Sequence, residues 1–420
     1  MAKKTIKDIE LKGKKIIMRV DFNVPMKEGK IGDDRRIRAA VPSIQYILEQ
    51  GAKSLVLMSH LGDPKKDTKK AKEKAEKDGK AFDEVAFVEG KHRMAPIAKH
   101  LSSILGKEVK LAPAAFGPEV DAMVAGLKDG EVLLLENTRF HKEETAKEEA
   151  DREVMAKELA KYGEIYVNDA FGTAHRAHAS TETITHFMNV AVAGFLMEKE
   201  VKFIGGVVDA PERPLVAILG GAKVSDKIGV IENLIEKADK IIVGGGMMFT
   251  FLKALNKNIG KSLLEEDKVE LAKSLMEKAK AKGVELILPI DTIAAKAFSN
   301  DAEFRTVSVD AIADDEMGLD IGAASIKLFE DALKGAKTVV WNGPMGVFEL
   351  SNYAKGTIGV CEAIANLQGA TTVIGGGDSA AAAEQLGYAS KFTHVSTGGG
   401  ASLEYLEGKV LPGVAALNDK

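Results

Sequence analysis

Cysteine and long apolar runs are scarce in this sequence. Cys361 is the only cysteine among 420 residues, which excludes a disulfide within the chain and is typical of proteins of the reducing cytoplasm. The most apolar long stretch, at 187–197, is interrupted by Asn189 and is too short to span a bilayer. We therefore expect a cytoplasmic protein that has no membrane partner.

Excess positive charge and two familiar nucleotide motifs are also missing. A net charge of -4 argues against broad nucleic-acid binding, which normally requires a basic surface. Residues 1–7 lack the apolar core of a secretory signal. No Gly-x-Gly-x-x-Gly string occurs, and Gly260-Lys261-Ser262 matches only the end of a P-loop, because Leu255 stands where its first glycine belongs. We therefore expect neither of these two nucleotide-binding loops.

Strand-like runs alternate with charged amphipathic segments along nearly the whole chain. At 267–282, for example, apolar residues recur at helical spacing. Such alternation predicts βαβ units, and hence an α/β fold of two lobes, each a Rossmann-like parallel sheet flanked by helices. The predicted strands are 15–20, 54–59, 132–136, 165–168, 215–219, 240–243, 284–289, 338–341, 371–374 and 393–396.

The length of the chain predicts two domains, because one hydrophobic core rarely serves 420 residues. The halves also differ in composition, since eight of ten arginines lie before residue 211 and 25 of 41 glycines follow residue 210. A helical pattern at 195–203 separates the two halves. We predict an N-terminal domain at 1–192, a hinge helix at 193–206, a C-terminal domain at 207–402, and a tail at 403–420 that returns to the N-terminal lobe.

Polar and cationic side chains follow the strands of the first half. His60, Arg139 and Arg176 each follow a different predicted strand. Because the carboxyl ends of neighbouring parallel strands meet at one edge of a sheet, we expect these side chains to converge there, together with Arg36. Guanidinium groups bind carboxylate and phosphate through paired donors. The predicted ligand is a small, multiply charged anion.

Several of these residues have simpler interpretations when each is taken alone. His60 alone fits an ordinary loop histidine, and Arg19, which lies inside a strand, fits a structural ion pair. Asp169, His175 and His178 suggest a metal site, but the two histidines are three apart in a loop with no further obvious ligand. We therefore do not expect zinc.

Four apolar runs of the second half end in paired or tripled glycines, at 220–221, 244–246, 375–377 and 398–400. A strand that stops in glycine and then turns helical exposes backbone N–H groups, which hold phosphate oxygens well. Glycine also ends strands for steric reasons alone. Four such turns in one half of the chain nevertheless favour a nucleotide site.

Charged residues beside these glycines fit a phosphate chain. Lys223 and Lys227 lie four apart in the helix predicted after Gly221, so both are expected to project from one face toward a bound anion. Asp378 directly follows 375–377 and is the natural carboxylate for a phosphate-bound Mg²⁺. Glu349 follows another strand and is placed to accept hydrogen bonds from ribose hydroxyls.

Together these strings resemble the phosphoglycerate kinase family nearly end to end. The motifs of its substrate side are RVDFNVP at 19–25, RIRAAVP at 36–42, SHLG at 59–62, LENTRF at 135–140 and NDAFGTAHRAH at 168–178. The motifs of its nucleotide side are GGAKVSDK at 220–227, GGGMM at 244–248, WNGP at 341–344, GGGD at 375–378 and STGGGA at 396–401. Ten motifs in order are far more specific than any one of them.

The resemblance implies a two-lobed kinase of glycolysis and gluconeogenesis. Such an enzyme passes a phosphoryl group reversibly between 1,3-bisphosphoglycerate and ADP, giving 3-phosphoglycerate and ATP with Mg²⁺ as cofactor. It implies a monomer with a glycerate-binding N-terminal domain and a nucleotide-binding C-terminal domain. The acceptor oxygen is anionic in either direction, so no general base is required. Catalysis then consists of alignment and charge neutralisation, and the lobes must close to assemble the site.

The resemblance also implies roles for individual residues. The residues that act on the moving phosphoryl group are Arg36, Lys223, Gly376 and Gly399. Those that bind the glycerate ligand are Asp21, Phe22, Asn23, Arg36, His60, Leu61, Gly62, Asp63, Arg139 and Arg176. Those that bind nucleotide are Gly221, Ala222, Lys227, Gly246, Gly318, Asn342, Glu349, Gly376, Gly377, Asp378 and Ser379, with Asp378 also on the metal.

Three features depart from the family pattern. Ser379 replaces the common threonine and keeps its hydroxyl. Asp63 stands where the family usually has arginine, so either Lys65 or Lys66 compensates for the negative charge or Asp63 faces solvent. The segment 65–80, with eight lysines and four acids, is interpreted as a solvated insertion, and a nucleic-acid patch is the alternative.

Two other functions stay open on the sequence. A nicotinamide-dependent dehydrogenase predicts tight binding of NADH without binding of MgADP. A catalytically inactive anion-binding protein predicts binding of MgADP without turnover.

Overall fold

The chain divides into two compact units in a computed structural model, which describes residues 2–420. The first unit runs to Glu200 and includes Val410–Lys420, and the second unit is Val201–Lys409. Within the first unit, Lys3 pairs with Asp419 in an antiparallel bridge. Residues 410–420 therefore fold with residues that lie far earlier in the chain.

A parallel sheet forms the centre of the first unit. The strands of this unit are β1 (Lys15–Arg19), β2 (Met26–Lys27), β3 (Lys30–Ile31), β4 (Ser54–Met58), β5 (Val109–Leu111), β6 (Glu131–Leu134), β7 (Ile165–Asn168) and β8 (Val190–Ala193). Six of them pair in parallel in the order β5-β6-β4-β1-β7-β8, while β2 and β3 form a small antiparallel pair. β4 and β7 are buried along their whole length, as expected for strands covered on both faces.

Amphipathic helices accompany this sheet. The helices are α1 (Arg35–Glu49), α2 (Pro64–Lys77), α3 (Glu84–Lys91), α4 (Ala95–Leu105), α5 (Pro118–Ala125) and α6 (Glu149–Ala160), and Pro412–Ala415 forms one further short helix. A seventh helix, α7 (Phe195–Asp209), begins in the first unit and continues into the second. α1 buries Ile37, Ala40, Ile44 and Ile47, whose spacing of three and four residues places them on one face of the helix. Short 3₁₀ turns lie at Thr138–Phe140, Lys142–Thr145, Phe171–Thr173 and Thr183–Phe187.

A second parallel sheet forms the centre of the second unit. Its strands and those beside it are β9 (Leu215–Leu219), β10 (Lys240–Val243), β11 (Glu285–Ile287), β12 (Asp291–Ala295), β13 (Phe304–Ser308), β14 (Met317–Ile321), β15 (Thr338–Asn342), β16 (Thr371–Ile374) and β17 (His394–Val395). The parallel order is β11-β10-β9-β15-β16-β17, and β13-β12-β14 form a separate antiparallel sheet.

The helices of the second unit follow its strands. They are α8 (Ile228–Ile235), α9 (Met248–Ala254), α10 (Val269–Ala281), α11 (Ala323–Leu333), α12 (Lys355–Ala365), α13 (Gly377–Gln385) and α14 (Gly400–Leu406), with 3₁₀ turns at Glu266–Lys268, Ser351–Tyr353 and Ala389–Lys391. Across residues 2–420, no helix is both long and apolar enough to cross a membrane.

The predicted α/β class, with a helix-flanked parallel sheet in each half, is confirmed. All ten predicted strands are present, within a few residues of their predicted ends. The sequence interpretation missed β5, which has only three residues, and β8, whose small residues give a weak apolar signal. It also missed the three-stranded antiparallel sheet β13-β12-β14, because β13 is mostly exposed.

One local expectation is wrong and one element has no counterpart in the sequence analysis. The segment 65–80, interpreted as a solvated insertion, is largely exposed and forms most of α2, because Asp63 caps its N-terminus, Pro64 occupies the first turn, and lysine, alanine and glutamate favour helix. The expectation that is wrong concerns two lysines of the second unit. Lys223 and Lys227 do not lie in a helix, since α8 begins only at Ile228. They cannot project from one helical face.

Candidate active site

The polar residues that follow β1, β4, β6 and β7 lie at one edge of the first sheet, because these neighbouring strands are all parallel. Arg36, at the start of α1, is bound to residues that follow β1. Its Nη1 donates to Oδ2 of Asp21 at 3.0 Å and to the carbonyl of Asn23 at 3.2 Å. The Arg36 side chain remains 33% exposed. This guanidinium is thus held in place while part of it stays open to a ligand.

The loop after β4 is tied to the ends of two other strands. The Gly62 N–H donates to Oδ1 of Asn23 at 2.8 Å, and Nη1 of Arg139 donates to the Gly62 carbonyl at 3.0 Å. Gly62 has a φ of +63°, and a Cβ there would lie 2.7 Å from the His92 ring. This close approach therefore requires glycine.

Phe22 and Leu61 are buried and act through their backbones. The Phe22 N–H donates to Oγ of Ser59 at 2.9 Å, and the Leu61 N–H donates to Oδ1 of Asn137 at 3.1 Å. The Ser59 hydroxyl donates in turn to the His60 carbonyl at 2.9 Å. These bonds order the loops that carry the exposed polar groups.

A fully buried arginine lies beneath this edge. Nη2 of Arg19 is 3.1 Å from Nδ1 of His60, and its Nε donates to Oγ of Ser180 at 2.8 Å. Nη2 also lies 3.7 Å from Oε1 of buried Glu144. Arg19 and Glu144 thus form the structural ion pair that the sequence suggested for Arg19. Glu144 was missed because it stands in a run of charged residues that reads as solvated surface.

Burial and positive charge keep two histidines at this edge neutral. Burial, together with Arg19 and Arg139, holds the pKa of His60 well below its usual value. Burial, together with Arg139, Arg19 and Arg176, lowers the pKa of His178 to about 3. Burial and the charge of Arg19 also lower the pKa of Arg139. Concentrated positive charge of this kind favours a bound anion.

Two predicted residues stand apart from this hydrogen-bonded set. Oδ1 of Asp63 accepts from the Lys66 N–H at 3.0 Å and caps α2, although its charge still acts on Arg139. Arg176 is exposed, and its side chain makes no hydrogen bond or ion pair within the described residues. Arg176 is therefore available for a ligand.

A cleft of about 430 Å³ opens beyond β9, β10 and β15 in the second unit. Its backbone wall comes from glycine-rich turns that include Gly221, Ala222 and Gly246. Gly318 of β14 faces the Phe249 ring, which any Cβ at that position would overlap. The other apolar lining residues are Met248, Leu263, Phe298, Met317, Leu319, Pro344, Met345 and Val347. A mostly apolar cleft with backbone groups along one wall suits a ring system that carries polar edges.

A smaller cleft of about 240 Å³ lies beside it. Gly376, with a φ of +92°, precedes α13, and Gly399, with a φ of +50°, precedes α14. Gly377, Asp378 and Ser379 line the same cleft. The N-terminus of α13 directs free backbone N–H groups and a positive dipole toward an anion.

Buried polar groups also meet in this smaller cleft. Nζ of Lys227 donates to Oδ1 of Asn342, and burial lowers the pKa of Lys227. The buried Nδ2 of Asn342 has no hydrogen-bond partner in residues 2–420. Oγ of Ser379 accepts from the Gly343 N–H. A desolvated cation and an unpaired amide donor are both satisfied by phosphate oxygens.

The remaining predicted residues lie on exposed rims. Glu349 borders the larger cleft and Asp378 borders both, and both are exposed. Lys223 is exposed, and its side chain makes no hydrogen bond or ion pair within residues 2–420. The sequence interpretation missed Asp320, a buried carboxyl that lines the larger cleft, because an aspartate inside a strand gives no motif signal.

The structure thus has an arginine-rich edge in one α/β unit and clefts lined by glycine turns in the other, features that suit a kinase acting on a small anionic substrate. The family model described as phosphoglycerate kinase matches residues 6–409. The chain belongs to the phosphoglycerate kinase family.

Individual relatives agree over their full lengths. The chain is 63% identical over 420 residues to phosphoglycerate kinase from Listeria innocua and 60% identical to that from Enterococcus faecalis, with 100% of each chain covered. The solved structure of phosphoglycerate kinase from Coxiella burnetii matches with a TM-score of 0.85 and 38% identity, covering 99% of this chain and 98% of that one. The kinase function predicted from the resemblance is confirmed.

Proposed function

We propose that the first unit binds 3-phosphoglycerate or 1,3-bisphosphoglycerate through the arginine-rich edge, and that the second unit binds ADP or ATP in its two clefts. The observation that carries the first assignment is the convergence of Arg36 and Arg139 on the loops that follow β1 and β4, since Arg36 is bound to Asp21 and Arg139 to the Gly62 carbonyl. The observation that carries the second is the pair of clefts lined by glycine turns. Arg36, Asp21, Asn23, Arg139 and Arg176 are the proposed glycerate ligands.

Phosphoryl transfer between these ligands needs no proton acceptor. The attacking oxygen is a carboxylate in one direction and a terminal phosphate oxygen in the other, and both are already anionic. His60 and His178 favour this view, because burial and neighbouring arginines lower their pKa values and so make both weak proton acceptors. The protein then lowers the barrier by alignment and by neutralising the phosphoryl oxygens.

Four groups are proposed to act on the moving phosphoryl group. Arg36 approaches from the glycerate side, already bound to Asp21. Lys223, which is exposed, approaches from the nucleotide side. Gly376 and Gly399 supply backbone N–H groups without steric hindrance, since both adopt positive φ.

Asp378 would hold Mg²⁺ in the nucleotide clefts. Asp378 offers an exposed hard oxygen in the first turn of α13, and Mg²⁺ on nucleotides usually takes one or two carboxylates with phosphate oxygens and water. When bound, the ion neutralises phosphate charge. Asp378 is the residue proposed to hold it.

The remaining proposals concern the whole chain. We infer that the two units are a glycerate domain and a nucleotide domain, that the helix near 193–206 serves as a hinge, and that the protein acts as a cytoplasmic monomer. The single cysteine, Cys361, supports the reducing compartment.

These ligand assignments are tested by steady-state kinetics on the full chain with Mg²⁺, in an assay that couples 3-phosphoglycerate-dependent ATP consumption. Arg139→Ala is expected to raise KM for 3-phosphoglycerate more than tenfold and to leave KM for ATP unchanged, because a charge-assisted contact contributes about 1.5–3 kcal/mol. Lys227→Ala is expected to do the reverse. Exposed Arg38 and Lys273 provide matched control variants, Arg38→Ala and Lys273→Ala.

Equal effects of Arg139→Ala and Lys227→Ala on both KM values contradict the assignment of one ligand to each unit. Fluorescence titrations of one preparation with NADH and with MgADP test the nucleotide assignment. Binding of NADH without binding of MgADP contradicts that assignment altogether.

A further inference from the structure

We propose that Asp320 is a positioning residue for the nucleotide, because its carboxylate ties the N-terminus of α12 to β14. The loop 343–349 is bonded to both of these elements, so Asp320 shapes the larger cleft before any ligand binds. The inference rests on the nucleotide site proposed above. Asp320 lies on β14, is 2% exposed, and lines the cleft of about 430 Å³.

The Asp320 carboxylate caps a helix to which it is not adjacent in sequence. Its Oδ2 accepts from the Gly356 N–H at 2.8 Å, and its Oδ1 accepts from the Ile321 N–H at 2.9 Å. Gly356 is the second residue of α12, whose own N-cap, Ala354, provides no side-chain hydrogen bond. Asp320 therefore supplies the missing cap from the neighbouring sheet, and its charge suits the positive end of the helix.

Two glycines make room for this carboxylate. A Cβ on either Gly346 or Gly356 would overlap the Asp320 side chain. Neither glycine has a positive φ, so the backbone conformation does not require glycine at either position. The lack of room for a Cβ beside Asp320 does require it. Gly346 belongs to the loop 343–349 and Gly356 to α12. The carboxylate thus occupies the gap between the loop and the helix.

The loop carries much of the cleft wall. The Val347 N–H donates to the Leu319 carbonyl at 2.9 Å, and the Met345 N–H donates to Oγ1 of Thr357 in α12 at 3.1 Å. Met345, Val347 and Glu349 all line the cleft. A shift of α12 relative to β14 must therefore move the wall and, with it, the proposed ribose ligand Glu349.

Keeping a carboxyl at this position is costly for the fold. Burial raises the pKa of Asp320 to about 7, and no charged side chain within the described residues offsets the desolvation. Costly buried carboxyls cluster at functional sites. Because Asp320 lies beside the cleft, we assign it the positioning of the cleft wall in addition to the capping of α12.

Asp291 provides a matched comparison in the same unit. Its carboxylate accepts from the N–H groups of Ala324 at 3.0 Å and Ser325 at 2.8 Å, and so caps α11. It is 8% exposed and overlaps any Cβ on Gly322. Like Asp320, Asp291 is a buried strand carboxylate that caps a helix, although it accepts from two N–H groups of that helix and also from the Ser325 hydroxyl. Unlike Asp320, it does not line the cleft.

The experiment compares wild type, Asp320→Ala, Asp320→Asn and Asp291→Ala as full chains. Calorimetric titration with ADP and Mg²⁺ gives Kd for the nucleotide, a second titration gives Kd for 3-phosphoglycerate, and the coupled assay separates KM from kcat. Asp320→Ala is expected to weaken ADP binding about tenfold, equivalent to the loss of roughly one hydrogen-bonded contact. Asp320→Asn, which keeps the shape and one acceptor, is expected to weaken it less. Neither is expected to change Kd for 3-phosphoglycerate, and Asp291→Ala is expected to change neither constant.

Each outcome has a distinct meaning. Failure of wild type to bind ADP contradicts the proposed nucleotide site itself. Normal ADP binding by a folded Asp320→Ala variant, or by Asp320→Asn if the alanine variant does not fold, overturns the positioning role. Equal weakening by Asp291→Ala also overturns it, because the effect then reflects general loss of helix capping.

Discussion

Arg36 illustrates how single residues of the glycerate edge are prepared for a ligand. Its guanidinium is already bound to Asp21 and to the Asn23 carbonyl, so little side-chain freedom is lost when an anion arrives. Lys223 differs, because it has no such support. The two proposed catalytic cations thus start from different degrees of order.

Replacing either cation is expected to slow the chemical step. Arg36→Ala and Lys223→Ala should each lower kcat about 10²–10³-fold with a smaller effect on ground-state binding, because they meet charge that develops during transfer. The measurement is kcat and KM for both substrates, with exposed Arg38→Ala as the control. A near-normal kcat in both variants contradicts their assignment.

His178 makes stability depend on pH. Its pKa is about 3 in the folded protein against about 6.5 in an unfolded chain, so the folded state binds fewer protons between these values. The contribution of neutral His178 to the free energy of unfolding is fully present above about pH 6.5 and is lost as the pH falls toward 3. Between pH 7 and 5, the unfolding free energy of wild type should fall by up to about 2 kcal/mol relative to His178→Asn.

Chemical denaturation at several pH values measures this difference. Asp169 and Asp320 act in the opposite direction, because burial raises the pKa of each to about 7, but both are present in wild type and variant and so cancel. Exposed His186→Asn is the control. Parallel pH profiles for wild type and His178→Asn contradict the role of His178.

At the scale of elements, α2 brings an unusual charge close to the anion edge. Asp63 caps α2 while acting electrostatically on Arg139. Asparagine caps a helix as well as aspartate does, so Asp63→Asn should keep α2 and remove the repulsion. We expect KM for 3-phosphoglycerate to fall about two- to fivefold in Asp63→Asn, for a change of roughly 0.5–1 kcal/mol. KM for ATP should not change.

The compensation hypothesis for Asp63 has its own test. Lys65 and Lys66 are both exposed on α2. If either supplies the missing positive charge, the double variant Lys65→Ala with Lys66→Ala should raise KM for 3-phosphoglycerate alone. An unchanged KM for 3-phosphoglycerate means that both lysines are only solvated surface. The double variant Lys69→Ala with Lys70→Ala is the control.

Elements that carry their own signal were predictable, and those that depend on distant partners were not. β4 and β9 are continuous apolar runs, and the glycine turns precede α13 and α14 where expected. The ion pair of Arg19 with Glu144 and the cap of Asp320 on α12 join residues far apart in sequence. α2 was missed because helix propensity and capping, without an apolar face, determine it.

At the scale of the whole molecule, transfer requires that two bound ligands come within bonding distance. The ligands proposed for the two units must therefore meet in one water-poor site during turnover. Small-angle scattering should show the radius of gyration falling most when 3-phosphoglycerate and a non-hydrolysable MgATP analogue are both present. Each ligand alone serves as the control, and an identical radius in all states argues against a hinge.

The membership of Val410–Lys420 in the first unit has a consequence for biosynthesis. As the ribosome extends the chain, the second unit is complete before Leu411 and Leu417 emerge, and both are buried in the unit that began to form first. Lys3 must also wait for Asp419 before their salt bridge at 2.9 Å can form. The first unit, whose translation begins first, therefore completes its fold only after the second unit has been translated.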